Sequence, residues 1–202
     1  MKITNTSELT KIMCLIYGRS KVGKTRLAAT APKPLFIDVN ENLISLQGMG
    51  IERTKVTTLK QFKTIHDTLL NDKKFRNRTI VFDSLSNLAR LHFKKLKKKE
   101  RKELKENPKF NKYWKYDCIY DDVIDVIDLL AELPQDVIVI CKERSIEIDG
   151  EDKFRPLFPG KAIHQEIPYL FTLLFNMRLW EKEGKNGESK YIPFLQTFPN
   201  HE

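Results

Sequence analysis

Residues 18–25 combine two glycines, a lysine and a threonine at a spacing that suits phosphate binding. The segment has the sequence GRSKVGKT and matches the pattern G-x-x-x-x-G-K-[ST]. Gly18 and Gly23 allow a tight turn in which successive backbone N–H groups point at one anion. Lys24 would then reach the outer phosphate oxygens of a nucleotide, and the Thr25 hydroxyl would ligate a metal ion. The spacing therefore predicts a phosphate loop for ATP with Mg²⁺.

A carboxylate at the end of an apolar run completes the expected metal site. Asp83 follows the apolar residues 80–82 and precedes Ser84. P-loop proteins place a carboxylate at such a strand end, where it holds Mg²⁺ through water. An Asp here can also be only a helix cap, but beside a phosphate loop we predict the metal role. The predicted metal residues are Thr25 and Asp83, and the predicted nucleotide-binding residues are Gly18, Arg19, Ser20, Lys21, Val22, Gly23, Lys24, Thr25 and Arg26.

The elements that position these residues alternate between strands and helices. Continuous apolar runs predict buried parallel strands at 12–17, 34–39, 79–83 and 137–141. Amphipathic spacing predicts helices at 24–30, 59–70 and 119–133. A polar hairpin or loop is expected at 146–155, and an antiparallel pair at 170–180 and 191–197. This order predicts an α/β fold of three layers, with a mainly parallel central sheet and an antiparallel C-terminal hairpin.

Length and composition predict one domain and a cytoplasmic protein. A chain of 202 residues with 41% hydrophobic residues can bury one substantial core, so we expect residues 1–202 to form a single domain. The three cysteines show no C-x-x-C spacing, which favours a reducing compartment. No apolar run reaches the roughly 18 residues of a membrane span, and the first residues lack a signal-peptide core. We therefore expect no membrane partner.

Several segments together resemble a known protein family. They are YGRSKVGKT at 17–25, PLFID at 34–38, IVFDS at 80–84, VIVICKE at 137–143 and PLFPGK at 156–161. The series is similar to phage-encoded nucleotide-binding proteins of the RecA-like class, which include Sak-type single-strand annealing proteins. The resemblance implies a RecA-like core and an ATPase that acts with single-stranded DNA in phage recombination or replication. It also implies a homo-oligomeric ring or filament, a phage partner protein and the bacterial host cytoplasm.

The chain departs from this family where the catalytic base is expected. Relatives commonly have Asp-x-Glu at the end of the second strand, and the Glu activates the attacking water. Here the stretch from Asp38 reads DVNE, so a gapless match places Asn40 at the base position. An amide orients water but cannot take its proton, and Glu41 serves only if the alignment slips by one residue. The candidate catalytic residues are Lys24, Glu41 and Asn40, and hydrolysis should be slow.

Two basic segments are candidates for nucleic-acid contact. Residues 94–109 contain nine Lys or Arg against three Glu, which suits a phosphate backbone or simply a solvated helix face. Residues 143–161 correspond in order to the DNA-contacting segment of RecA-like proteins. Their cations are Arg144, Lys153, Arg155 and Lys161, with Phe154 and Phe158 interleaved for base stacking, but five acidic residues accompany them. The resemblance also makes Lys161 a candidate cation for a neighbouring subunit's nucleotide; an exposed lysine at a turn explains it equally well.

Three classes of function fit these observations. The first is a RecA-like ATPase that binds single-stranded DNA. The second is a nucleotide-binding regulatory or partner-binding module with little turnover. The third is a nucleoside or nucleotide kinase, which is disfavoured because the chain has no Arg-rich lid segment.

Overall fold

The computed structural model describes residues 11–39, 43–148, 150–160, 163–183 and 189–197. Asn40, Glu41 and Lys161, three of the residues singled out from the sequence, lie outside these ranges. In the described ranges the strands are β1 (Met13–Gly18), β2 (Pro34–Asp38), β3 (Glu52–Lys55), β4 (Thr79–Asp83), β5 (Asp136–Ile148), β6 (Glu151–Pro156), β7 (Leu173–Glu183) and β8 (Ser189–Thr197). The helices are α1 (Lys24–Ala28), α2 (Leu59–Asn71), α3 (Leu85–Glu106), α4 (Trp114–Glu132) and α5 (Ile163–Glu166). Single 3₁₀ turns cover Leu43–Leu46, Lys73–Phe75 and Ile167–Leu170.

The strands form one sheet in the order β3-β2-β4-β5-β1-β7-β8, and β6 pairs with β5 outside this path. All pairs from β3 to β7 are parallel, whereas β7–β8 and β5–β6 are antiparallel. The predicted fold class is therefore confirmed: an α/β architecture with a mainly parallel sheet and an antiparallel C-terminal hairpin. β1 and the first half of β5, at the centre of the sheet, are apolar runs of the kind that is buried on two faces.

Helices cover both faces of the sheet, which gives three layers. On one face, Leu15 and Tyr17 of β1 join Phe62 of α2, Leu88 of α3 and Ile119 of α4 in the larger core. The other face is covered more thinly: Ala28 of α1 and Leu43 pack against Phe36, Val81 and Ile140. The alternation of side chains along each strand divides them between the two cores.

The starts of α2 and α3 are set by side-chain caps. The Thr58 hydroxyl accepts a hydrogen bond from the backbone N–H of Gln61, and the Ser84 hydroxyl accepts one from that of Asn87. Each cap satisfies an N–H group that has no partner within its own helix. Because Ser84 directly follows Asp83, the cap makes α3 start at the end of β4.

The observed elements differ from the predicted ones in several places. The helix α3 was not among the predicted helices. β5 continues to Ile148 instead of ending near Cys141, because its second half pairs with β6 as the predicted polar hairpin. β3 was not predicted, because its residues Glu52–Lys55 are polar and mostly exposed. It pairs only with β2, at one edge of the sheet. The basic segment 94–109 lies in the second half of α3 and the turn that follows it.

None of the helices in the described ranges is both long enough and apolar enough to span a bilayer.

Candidate nucleotide-binding site

The phosphate loop and Asp83 meet at the carboxyl edge of the sheet. β1 ends at Gly18, which lies opposite Lys142 of β5, and β4 ends at Asp83, which lies opposite Ile140 of the same strand. β5 thus runs between the strand that enters the phosphate loop and the strand that carries the carboxylate. Loops at the carboxyl ends of parallel strands converge at one edge, which is where open α/β sheets bind ligands.

Glycine is required at both ends of the loop for different reasons. A Cβ on Gly18 would lie 2.3 Å from the carbonyl oxygen of Met177 on β7, so any side chain would force β1 and β7 apart. Gly23 has φ +107°, a conformation that L side chains rarely adopt, and is the N-cap of α1. The side chain of Val22 is buried in a small apolar cluster with Met177, which anchors the loop to the sheet.

Lys24 is drawn back into the loop that carries it. The residue is 8% exposed, and its Nζ donates hydrogen bonds to the carbonyl oxygens of Gly18 at 2.7 Å and Arg19 at 2.5 Å. Burial lowers the pKa of the ammonium group below its usual value, while the carboxylates of Asp83 and Glu143 act in the opposite direction. A buried cation whose hydrogen bonds go to backbone carbonyls is well placed to exchange them for an anion.

The Thr25 hydroxyl donates a hydrogen bond of 2.7 Å to Oδ2 of Asp83. Burial raises the pKa of Asp83 above its usual value, and the hydrogen bond from Thr25 opposes this shift. A hydroxyl oxygen beside a carboxylate is a hard oxygen donor set of the kind that Mg²⁺ prefers. These two residues therefore fit the metal ion that the phosphate loop implies.

These groups line a cleft of about 490 Å³. From the predicted set, the lining includes Ser20, Lys21, Gly23, Lys24, Thr25, Arg26 and Asp83. It also includes Ser84, Asn87, Cys141 and Lys142. The volume lies within the range of small-molecule sites, roughly 300–1,000 Å³.

Arg19 points to a neighbouring cavity of about 270 Å³ instead. Its Nε lies 3.2 Å from Oε1 of Glu143, a side chain that is only 7% exposed. The other oxygen of Glu143 lies 3.5 Å from Nδ2 of the buried Asn176 on β7. This ion pair links the first half of the phosphate loop to the start of the β5–β6 hairpin. No spacing in the sequence indicates it, because Arg19 and Glu143 lie far apart along the chain.

Asp38, at the end of β2, is occupied by an ion pair. The residue is 2% exposed, and its Oδ2 lies 3.0 Å from Nη1 of Arg53 on β3. Its negative charge contributes to the raised pKa of Asp83. The placement of the candidate bases Asn40 and Glu41, just beyond Asp38, stays a prediction because they lie outside the described residues.

Comparison with known proteins identifies the family. A family model described as "AAA domain" matches residues 10–197, so the chain belongs to the AAA domain family and is a P-loop NTPase. No curated protein matches the chain. A solved structure to which it is similar belongs to a prototypical ATPase from the type III secretion system of pathogenic bacteria. That match has 13% identity and a TM-score of 0.48, and covers 83% of this chain but 51% of that one. The chain thus spans about half the length of that ATPase.

The raised pKa of Asp83 predicts the pH dependence of an Asp83→Asn variant without nucleotide. Because the folded state favours the protonated carboxyl, ionisation of Asp83 reduces stability as pH rises through its folded-state pKa. Asp83→Asn removes that charge and keeps an acceptor for Thr25. Urea unfolding should therefore show a more stable variant at neutral pH, with a gain that shrinks on acidification.

Asp72→Asn is the control for this measurement. Asp72 is an exposed carboxyl whose pKa is lowered, chiefly by a hydrogen bond from the backbone N–H of Lys74. Its replacement should give no gain at neutral pH. An Asp83→Asn protein that is less stable than the original at neutral pH would contradict the prediction.

Proposed function

We propose that the chain binds ATP with Mg²⁺ in the cleft at the carboxyl edge and hydrolyses it slowly, in work on single-stranded DNA as a homo-oligomer. The proposal is supported chiefly by one observation: Lys24, Thr25 and Asp83 converge on one cleft although they come from two distant parts of the chain. The DNA and phage roles, the ring or filament and a phage partner protein rest on the family resemblance of the sequence.

The residues of the cleft have distinct tasks in this proposal. Lys24 leaves the carbonyls of Gly18 and Arg19 and binds phosphate oxygens, whose charge compensates for its burial. Thr25 and Asp83 hold the metal ion, and the loop N–H groups orient the phosphate chain. Mg²⁺, when bound, supplies positive charge that stabilises the phosphate oxygens during transfer.

Slow turnover is proposed because the sequence places Asn40, an amide, where the general base is expected, and the described residues near the end of β2 offer no free carboxylate in its place. Asp38 lies there, but Arg53 binds its carboxylate. A positioned general base contributes about 10²- to 10⁴-fold to a rate. The same ion pair favours the second candidate function, a nucleotide-binding regulatory module with little turnover. Stimulation of ATP hydrolysis by single-stranded DNA distinguishes the two, because only the ATPase responds.

For DNA contact we propose the β5–β6 hairpin. In its register Arg144 lies opposite Arg155, and Ile146 lies opposite Lys153. Because side chains alternate along each strand, the three cations share one face of the hairpin. Ser145 lies opposite Phe154 and Glu147 opposite Asp152, which puts these acidic residues on the other face. The strand pairing thus places Glu147 and Asp152 on the face opposite the three cations.

The aromatic part of the earlier expectation needs correction. Phe158 is 2% exposed and belongs to the larger core, so it cannot stack on a base where it lies. Phe154 lies on the acidic face of the hairpin, where its ring is 4.2 Å from the guanidinium of Arg178. Backbone phosphates, and not stacked bases, are therefore the proposed targets of this surface.

The second half of α3 is the competing surface. Its inner side is fixed on α4, where Glu100 lies 2.6 Å from Nζ of the buried Lys115. Lys97 and Lys99 extend over the rings of Phe93 and Trp114, at 4.9 and 5.0 Å. A solvated helix face explains such contacts without nucleic acid.

Nucleotide binding should depend on Lys24. The Lys24→Ala protein loses charge-assisted hydrogen bonds worth about 1.5–3 kcal/mol, which corresponds to about 10- to 100-fold weaker binding of ATP with Mg²⁺. Isothermal calorimetry measures the affinity, and circular dichroism checks the fold. The control Lys73→Ala removes an exposed lysine from the turn before β4 and should bind as the original chain does. Equal affinity of folded Lys24→Ala and Lys73→Ala proteins would refute the nucleotide site.

Two variants that each lose three positive charges separate the DNA surfaces. One replaces Arg144, Lys153 and Arg155 by Gln, and the other replaces Lys97, Lys98 and Lys99 by Gln. Each phosphate contact with a single strand contributes about 0.7 to the slope of log K against log salt, so the hairpin variant should flatten the slope by up to about 2. The measurement is fluorescence anisotropy of a labelled single-stranded oligonucleotide across a salt series, with and without ATP.

The α3 variant serves as the matched control and should keep the original slope. A flattened slope in that variant alone would move the DNA surface to α3. If the original protein shows no salt-dependent binding in either nucleotide state, the DNA role is wrong and the regulatory module is the better description.

A further inference from the structure

We infer that Asn87 is a further positioning residue of this cleft, one that accepts a hydrogen bond from a water molecule bound to Mg²⁺. The inference deepens the proposed function and rests on it, because it requires that the cleft binds the ion with its nucleotide. Asn87 is 6% exposed and lines the cleft. Its Oδ1 is buried and has no hydrogen-bond partner among the described residues.

The start of α3 holds Asn87 close to the predicted metal residues. Ser84 caps the helix immediately after Asp83, and its hydroxyl accepts a hydrogen bond of 3.3 Å from the backbone N–H of Asn87. Asn87 therefore lies in the first turn of α3. Side chains of a helix lean toward its N-terminus, which here is the end next to Asp83. The cap thus places Asn87 in the turn of α3 that is next to Asp83.

A buried acceptor without a donor costs about 1–3 kcal/mol, so such groups usually mark a missing partner. Three of the protein's own donors around the cleft bind other groups. Nζ of Lys24 binds the carbonyls of Gly18 and Arg19, and the Thr25 hydroxyl binds Asp83. The backbone N–H of Lys142 binds the hydroxyl of Ser86. None of these donors reaches Oδ1 of Asn87, so a donor that arrives with the ligand is the partner that we propose.

The water shell of Mg²⁺ supplies such donors. The ion keeps several waters when it is bound through one or two protein oxygens and the phosphates of a nucleotide. Each of these waters has hydrogens that need acceptors. The oxygens of Thr25 and Asp83 are proposed to hold the ion, so the waters need other acceptors in the cleft. Outer groups of this kind typically change metal affinity by about 10- to 100-fold. Oδ1 of Asn87 is an acceptor of the required type in the same cleft.

Gln135 shows what a buried amide looks like when its role is only structural. It is 2% exposed and also has an unpaired oxygen, Oε1. Its Nε2 donates to the carbonyl oxygens of Leu69 at 3.0 Å and Phe75 at 3.3 Å, so it ties α2 to the turn that follows. Gln135 directly precedes β5 and does not line the cleft, to which β5 contributes Ile140, Cys141 and Lys142. It provides a matched control for the loss of a buried amide.

The test measures nucleotide affinity as a function of free Mg²⁺, and so does not depend on turnover. Calorimetric titrations with ATP are made in EDTA and at increasing free Mg²⁺ for the original protein, Asn87→Leu, Asn87→Ala and Gln135→Leu. Leu keeps the branched shape and the number of heavy atoms of Asn without an acceptor, although its methyl groups are bulkier, and Ala is a smaller variant that fits if Leu does not. Both Asn87 variants should keep the affinity seen in EDTA and need about 10-fold or more Mg²⁺ to reach half of the Mg²⁺-dependent gain. Gln135→Leu should keep the original Mg²⁺ midpoint.

The outcomes separate this inference from the proposed function. If the original protein gains affinity with Mg²⁺ and the folded Asn87 variants show the same midpoint, the role of Asn87 is wrong and the nucleotide site stands. If the variants lose affinity equally in EDTA and in Mg²⁺, Asn87 contacts the nucleotide or supports the fold, and the inference is again overturned. If the original protein binds no ATP under any condition, the proposed function fails and the inference fails with it.

Discussion

Two opposite charges, the ammonium of Lys24 and the carboxylate of Asp83, are buried at one edge of the sheet. The candidate nucleotide-binding site depends on the contacts that keep these two groups there. Burial works against both charged forms: it lowers the pKa of Lys24 and raises that of Asp83. Two backbone carbonyls hold the cation, and one threonine hydroxyl holds the anion. A bound polyanion would compensate the positive charge of Lys24, and a divalent cation bound with it would compensate the negative charge of Asp83. Functional sites commonly retain such unfavourable arrangements at the expense of stability.

The parallel sheet makes this arrangement possible. Because β1 and β4 run parallel on either side of β5, their carboxyl ends and the two charged residues reach the same edge. The close contact of β1 with β7 also depends on the motif, since Met177 leaves no room for a Cβ on Gly18. The first glycine of the phosphate loop is therefore needed for the packing of the sheet as well as for the turn. A substitution there would disturb core and cleft together.

Local patterns predicted most of what positions the site. The strands β1, β2 and β4 are continuous apolar runs. The spacing of the phosphate loop is specific enough to predict the roles of both Lys24 and Thr25. What the sequence did not reveal depends on contacts between distant residues. β3 is polar and is held by pairing with β2, and Asp38 meets Arg53 only because those strands are neighbours. Arg19 directly follows β1 and meets Glu143 of β5, the strand that pairs with β1. Asn87 is an ordinary helix residue in the sequence, and only its burial without a partner makes it a candidate.

The most direct measurement of the central claim is a crystal structure of the protein with a non-hydrolysable ATP analogue and Mg²⁺. The account predicts that the triphosphate occupies the cleft of Thr25 and Asp83, and that Nζ of Lys24 has left the carbonyl oxygens of Gly18 and Arg19 for phosphate oxygens. A nucleotide bound elsewhere, or a Lys24 that keeps both carbonyl contacts while the triphosphate is bound, would contradict it.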